Sequence, residues 1–138
     1  MSKYLFILLS ALGLLACESK DELKLKQYYI DGQALYKTHC ANCHQIDGKG
    51  LAGLYPPIAG SDFLKNNKNL IICAMRNGLH DTIVVNGKKY HQPMPANKQL
   101  HAIDVAEITT FIYNEWGGEK IITDVKATKK ILDACNQP

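Results

Sequence analysis

The sequence predicts a small, mostly α-helical domain with one short β-hairpin and an extra helix at its C-terminus. Three observations favour this class: several segments carry apolar residues at helical spacing, only one pair of β-prone arms occurs, and 138 residues correspond to about one domain. The composition is that of a globular protein, with 46% hydrophobic and 21% charged residues. The net charge of +3 is too weak for a nucleic-acid footprint, so no nucleic-acid partner is expected.

An apolar run that follows Lys3 dominates residues 1–16. The run is shorter than the roughly 20 residues of a membrane span, and the charged segment after it favours a secretory signal peptide over a buried helix. It ends in Leu-Leu-Ala-Cys17, which resembles the lipobox of bacterial lipoproteins. This resemblance implies cleavage before Cys17, lipidation of that cysteine, and export to a bacterial membrane, on its periplasmic face or alternatively at the cell surface.

Residues 17–30 are predominantly charged and predict a lipidated tether, although their acidic stretch also resembles a surface-export signal. The main domain is expected over residues 31–118 and begins with a helix that Asp31 caps and that runs to about His39. A Gly-rich loop follows over residues 45–60. Ser61 then caps a short helical turn, and residues 69–77 form a helix that ends at Gly78.

The second half of the domain begins with Asn86-Gly87 between two β-prone arms, which is the strongest short hairpin signal. Asp104 and Glu107 resemble a capping box and start a helix whose apolar stripe runs to Trp116. Thr123 is expected to cap a last helix in a C-terminal extension, residues 119–138, that packs on the domain. Short helices and long loops bury little apolar surface, so this fold needs a metal, a cofactor or disulfides for stability.

The segment Cys40-Ala41-Asn42-Cys43-His44 has the spacing at which one c-type haem is attached. Two thiols about one helical turn apart add to the two vinyl groups as thioethers, and the histidine that follows ligates the iron. A thioredoxin-type site would instead follow a strand of a βαβ unit, and a zinc site would need a fourth ligand that the isolated Cys73 matches poorly. A disulfide within the motif would leave His44 unexplained.

The residues after the motif resemble class I cytochrome c, because a Gly-rich stretch and a Pro-containing loop follow it at the expected places. The resemblance spans residues 31–118, and its matching positions outside the motif are Gly32, Tyr36, residues 48–50, residues 55–60, Ile108 and Phe111. It implies that Pro57 accepts a hydrogen bond from the Nδ1–H of His44, which orients the ring and selects its tautomer.

The second axial ligand has several candidates, namely Met75, Met94, His39, His80, His91 and His101. Met94 stands between two prolines in a stiff loop, where the resemblance places the axial methionine. Met75 lies in a helical pattern and is expected in the core. Similar domains place polar groups around the haem propionates, and the candidates here are Tyr55, Arg76, Tyr90 and Trp116. For Arg76 a solvated surface position is an equal alternative.

Two further cysteines, Cys73 and Cys135, remain after the lipid and haem assignments. In an oxidising compartment they are expected to form a disulfide that ties the last helix to the helix over residues 69–77, the alternative being two separate buried thiols.

The resemblance implies an electron carrier rather than an enzyme, with an iron that cycles between Fe(II) and Fe(III). The expected partners are redox proteins at the membrane, such as a quinol-oxidising complex and a terminal oxidase or reductase. One alternative is a haem-based gas or redox sensor in which a ligand displaces Met94. Another is an electron-input subunit held within a larger complex.

Overall fold

The computed structural model describes residues 19–51 and 53–135. These residues form a mostly helical domain with one short hairpin, which confirms the predicted fold class. The elements are α1 (Lys20–His39), α2 (Ala41–His44), α3 (Asp62–Asn66), α4 (Lys68–Asn77), β1 (Ile83–Val85), β2 (Lys88–Tyr90), α5 (Ala102–Glu115) and α6 (Val125–Ala134). The expected signal peptide and Cys17 lie outside the described residues, and no helix within the described ones is long and apolar enough to cross a bilayer.

The crossing of α1 and α5 forms the centre of the core. Gly32 lies so close to α5 that a Cβ on it would overlap the carbonyl oxygen of Glu107 and lie 2.9 Å from the Cβ of Phe111. One turn later the buried ring of Tyr36 contacts the rings of Phe111 and Trp116, with centroids 5.4 and 5.2 Å away. Because the haem motif directly follows α1, this crossing positions the motif relative to α5.

The first helix starts earlier than the sequence analysis expects. The segment expected as a charged tether is helical from Lys20, and Asp31 lies inside α1 rather than at its cap. Ser19 is the N-cap, and its hydroxyl accepts a hydrogen bond from the backbone N–H of Glu22 at 3.2 Å. Residues 20–31 contain neither glycine nor proline, so the helix continues outward from the packed turns around Gly32.

Two other helix starts also differ from the predicted ones. The N-cap of α5 is His101, whose N–H donates to the Asp104 carboxylate at 2.7 Å, so Asp104 is the third helical residue rather than the cap. The N-cap of α6 is Asp124, whose carboxylate accepts from the Ala127 N–H at 2.8 Å. Thr123 is buried instead, and its N–H donates to a hydroxyl on α5. Tertiary packing thus buries Thr123, and Asp124 caps the helix instead.

The hairpin has the predicted turn and is fastened to α3. Asn86 and Gly87 both have positive φ, 50° and 77°, as the turn of a tight two-residue hairpin requires. The N–H of Asn86 donates to the Asp62 carboxylate at 2.8 Å, and the Asp62 N–H donates to the Asn86 side-chain oxygen at 3.0 Å. An isolated hairpin is marginal in water, so this reciprocal pair and the buried Tyr90 make it a fixed wall of the domain.

The last helix, α6, packs with the buried side chains of Thr128 and Leu132 against α4 and α5. At its end Cys135 is bonded to Cys73 of α4, with the two Cα atoms 5.9 Å apart. This separation lies within the usual range for a disulfide. The bond joins positions 62 residues apart and holds the C-terminal extension on the domain.

Replacing both cysteines by serine is expected to lower the free energy of unfolding by about 2–4 kcal/mol, because the unfolded chain regains the freedom of a long loop. Denaturant titration of the holoprotein measures this loss, and the wild type treated with reductant should lose a similar amount. Thiol labelling of Cys73 or Cys135 in the unfolded, unreduced protein would refute the bond.

Glu107, which is half-buried beside the crossing of α1 and α5, is expected to make stability depend on pH. Burial first, and then the charges of Asp31 and Asp104, raise the pKa of Glu107 to about 6, from an ordinary 4.5. The folded state therefore binds a proton more tightly than the unfolded state, and this contribution to stability is lost as the pH rises from about 4.5 through about 6.

Glu107→Gln should therefore stabilise the protein at pH 7 and flatten this part of its pH profile. Denaturant titrations at both ends of this pH range measure the effect. Asp21→Asn, at an exposed position, is the control and should leave the pH dependence of the free energy of unfolding unchanged. An identical pH dependence in Glu107→Gln and wild type would contradict the expectation.

Candidate haem site

A cleft that is partly open to solvent lies between α2, α4, the hairpin and α5. Its walls are mainly apolar, as is usual for pockets that hold small molecules and cofactors. The segments 55–58 and 92–95 complete its rim. The cleft therefore provides a mainly apolar environment that the motif residues line.

The two motif cysteines line this cleft and are not joined to each other. Cys40 is the C-cap of α1 and Cys43 lies in α2, and both are free thiols of intermediate exposure. Burial, and secondarily the nearby Cys43, raise the pKa of Cys40 to about 12, so this thiol is protonated at neutral pH. Two thiols on one wall at this spacing match the two thioether bonds of a c-type haem.

His44 lines the same cleft and is oriented by the loop that follows it. Its Nδ1 lies 3.0 Å from the carbonyl oxygen of Pro56. Because a carbonyl can only accept, Nδ1 carries the hydrogen, and Nε2 keeps a lone pair for a metal. Burial lowers the pKa of His44 against the opposing effect of this hydrogen bond, which favours the neutral imidazole that binds iron.

The partner of His44 is thus Pro56, one residue before the Pro57 that the resemblance implies. The loop is held by two hydrogen bonds to the carbonyl of Gly48, from the N–H groups of Ile58 at 2.7 Å and Ala59 at 3.0 Å. Gly50 lies directly against the loop, where a Cβ would be 2.8 Å from the Pro56 oxygen. These contacts set the register of the loop and turn the Pro56 carbonyl toward the imidazole.

Met94 is held at the rim of the cleft by a short antiparallel bridge to Leu79, two residues after the end of α4. Its N–H donates to the Leu79 carbonyl at 2.8 Å, and the Leu79 N–H donates back at 2.9 Å. Met75 also lines the cleft, but it is only 6% exposed and belongs to the core. Of the candidate histidines in the described chain, none lines this cleft, and His39 borders a smaller recess beside it.

The polar groups expected at the propionates occupy different places. Tyr55 and Tyr90 line the cleft, whereas Arg76 and Trp116 are not among the described residues of its wall. The Trp116 indole packs instead against Tyr36 and the backbone of the Gly-rich loop, where a Cβ on Gly48 would lie 2.9 Å from the ring. Trp116 therefore packs against the Gly-rich loop without lining the cleft.

The hairpin was expected to cover one edge of the haem, but apart from Met75 the apolar residues that α4 and β1 contribute to the cleft were not singled out in the sequence. Ile71, Ala74 and Met75 face the cleft from α4, and Ile83 and Val85 face it from β1. The alternation of inward and outward residues in the strand is the signal that could have identified Ile83 and Val85.

Residues 29–116 of the chain match the family model for cytochrome c. The chain belongs to the cytochrome c family. It is a class I monohaem cytochrome with one covalently attached haem c, and its function is haem-based electron transfer. The residues present fit that group, because two free thiols, a neutral imidazole with Nε2 available and an apolar wall meet in one cleft.

Several known cytochromes are similar to this one. Cytochrome c-552 of Thermus thermophilus is 33% identical over 100 residues, which cover 70% of this chain and 76% of that protein. The cytochrome c subunit of the quinone alcohol dehydrogenase of Gluconacetobacter polyoxogenes is 30% identical over 93 residues, or 65% of this chain and 19% of that protein. The fructose dehydrogenase cytochrome subunit of Gluconobacter japonicus is 29% identical over 109 residues, which cover 73% of this chain and 22% of that protein. The alignments thus span about a fifth of these two subunits.

Proposed function

We propose that this cytochrome is a one-electron carrier whose iron is held between His44 and Met94. The observation that carries the proposal is the hydrogen bond from Nδ1 of His44 to Pro56, which leaves Nε2 as the ligand in the cleft that Met94 also lines. When bound, the haem supplies an iron that alternates between Fe(II) and Fe(III). With His44 and Met94 both as ligands, the iron would offer a substrate no open coordination site.

The residues of the chain have separate tasks in this proposal. Cys40 and Cys43 hold the haem covalently, and the Pro56 carbonyl keeps the imidazole in one orientation and makes it more basic. The thioether of Met94 favours the reduced state more than a second imidazole would. The apolar wall excludes water and so controls the local dielectric around the iron.

Binding of carbon monoxide to the reduced holoprotein separates the carrier from a gas sensor. A carrier with Met94 on the iron should bind the gas slowly and weakly, because the thioether must leave first. Rapid, tight binding by the wild type would instead favour the sensor.

We propose redox proteins as partners, in line with the resemblance to cytochrome subunits of two dehydrogenases. A quinol-oxidising complex as donor and a terminal oxidase or reductase as acceptor suit a carrier, whereas a stable complex with a dehydrogenase would suit a fixed subunit. A tagged pull-down from detergent-solubilised membranes, with mass spectrometry, distinguishes them. Recovery of a stoichiometric dehydrogenase would support the fixed subunit.

We further propose that Cys17 is lipidated and that residues 1–16 are removed during export, with the protein held on the periplasmic face of a bacterial membrane. Cys17→Ser should leave the protein unprocessed or release it from the membrane fraction, because the acyl chains are then missing. Membrane fractionation and intact-mass measurement test this, with Ser10→Ala as a matched control that leaves the cysteine in place. An unmodified Cys17 in the mature wild type would refute the anchor.

A further inference from the structure

The first turns of α1 project from the part of the chain that matches the cytochrome c family. The family match begins at residue 29, and α1 begins nine residues earlier at Lys20. Nine helical residues span about 13 Å. The residues from Lys20 to Lys24 are all exposed, including Leu23 at 58%, so this end of the helix extends into solvent.

The projecting turns have the local features of a stable helix. Ser19 caps the first turn through the Glu22 N–H, and Asp21 and Glu22 complement the positive end of the helix dipole. The residues that follow are mostly lysine, leucine and glutamine, which are strong helix formers. Since the helix is already nucleated by the packed turns near Gly32, these residues only extend it and do not bear the cost of nucleation.

Where the projecting turns of α1 reach the domain, the helix is fixed to α5 by Tyr29 and Gly32. The Tyr29 hydroxyl donates to the Glu115 carboxylate, and its ring packs edge-on against Phe111 with centroids 5.2 Å apart. Three residues later Gly32 lies against the backbone of α5. No glycine or proline separates Lys20 from this crossing, so α1 has no hinge at which its outer turns could pivot on the domain.

We infer that α1 is a rigid arm about 30 Å long that separates the haem motif from the end of the helix nearest the lipid anchor. This inference rests on the proposed lipidation of Cys17, from which only Glu18 separates the N-cap Ser19. The arm covers the 20 residues of α1 and ends directly before Cys40, the first haem-attachment residue. The haem face then reaches only partners held close to the same membrane, such as a membrane-bound redox complex.

The distance between a nitroxide at Asp21→Cys and the ferric iron, measured by pulsed EPR on the holoprotein, tests the rigidity. The new thiol is the one free for labelling, since the other cysteines carry lipid or haem or form the disulfide of Cys73 with Cys135. A single narrow distance is expected. Lys26→Pro should broaden it about twofold or more, because proline breaks the helix at an exposed position, whereas Lys26→Ala should leave it unchanged. The rigid arm would be refuted if the distance distribution of the labelled Asp21→Cys protein were as broad as that of the same protein with Lys26→Pro.

Haem quenching of a headgroup fluorophore, in vesicles that carry the lipidated holoprotein, tests the link to the membrane. Seven helix-forming residues inserted between Lys24 and Leu25 lengthen a rigid arm by about 10 Å and should weaken quenching clearly. Seven Gly/Ser residues at the same place should weaken it less, because a flexible chain lets the domain return to the surface. Equal quenching by the two insertions would overturn the arm. If Cys17 were unmodified and the protein did not bind vesicles, the proposed lipid anchor would be refuted. A narrow EPR distance in the same protein would still show that α1 is rigid.

Discussion

Met94→Ala is expected to keep the haem attached and to open one axial position of the iron. In the proposed site, attachment depends on Cys40 and Cys43, whereas the spin state depends on the sixth ligand. The reduced variant should bind carbon monoxide readily, and its reduction potential should fall by on the order of 0.1 V, a part of the range of about 0.8 V over which axial ligands tune haem proteins. Absorption spectroscopy and redox titration measure both effects.

The matched control is Met75→Leu, because Met75 is the second methionine on the cleft wall. A volume-conserving change in the core should cost less than about 1.5 kcal/mol and leave the iron six-coordinate. If Met94→Ala kept the spectrum and potential of the wild type while Met75→Leu bound carbon monoxide, the axial ligand would be Met75.

Gly32→Ala is expected to lower the free energy of unfolding by about 3 kcal/mol or more. Helix propensity alone predicts the opposite sign, since alanine stabilises a helix interior by about 1 kcal/mol relative to glycine. The Cβ, however, would overlap the Glu107 carbonyl, and that backbone atom cannot move without separating α1 from α5. The sign of the effect therefore decides between local propensity and tertiary packing.

Denaturant titration of the purified holoprotein measures this loss, and Gly32→Val should prevent accumulation of folded protein. Lys37→Ala, at an exposed position of the same helix, is the control and should change stability by less than about 0.5 kcal/mol. A Gly32→Ala variant as stable as wild type would show that the crossing tolerates a wider separation of the helices.

Features that depend on neighbouring residues could be predicted from the sequence. The haem motif is such a feature, because the two thiols and the imidazole lie within five consecutive residues and their separation follows from local helical geometry. The Asn86-Gly87 turn is another, since its two positive φ values are a property of those residue types. The Ser61 cap, whose hydroxyl accepts from the Leu64 N–H at 3.1 Å, is a third.

The sequence by itself therefore determined the haem motif, the fold class and the order of most elements, while the tertiary structure decided how these parts face one another. Either proline of the pair could offer a carbonyl to His44, and contacts with Gly48 and Gly50 select Pro56. The charged segment after Cys17 was expected to be a tether, whereas in the structure Ser19 caps it and the packing of Tyr29 on Phe111 fixes it to the domain as part of α1. Such choices depend on contacts between residues far apart in the chain, which local propensity does not contain.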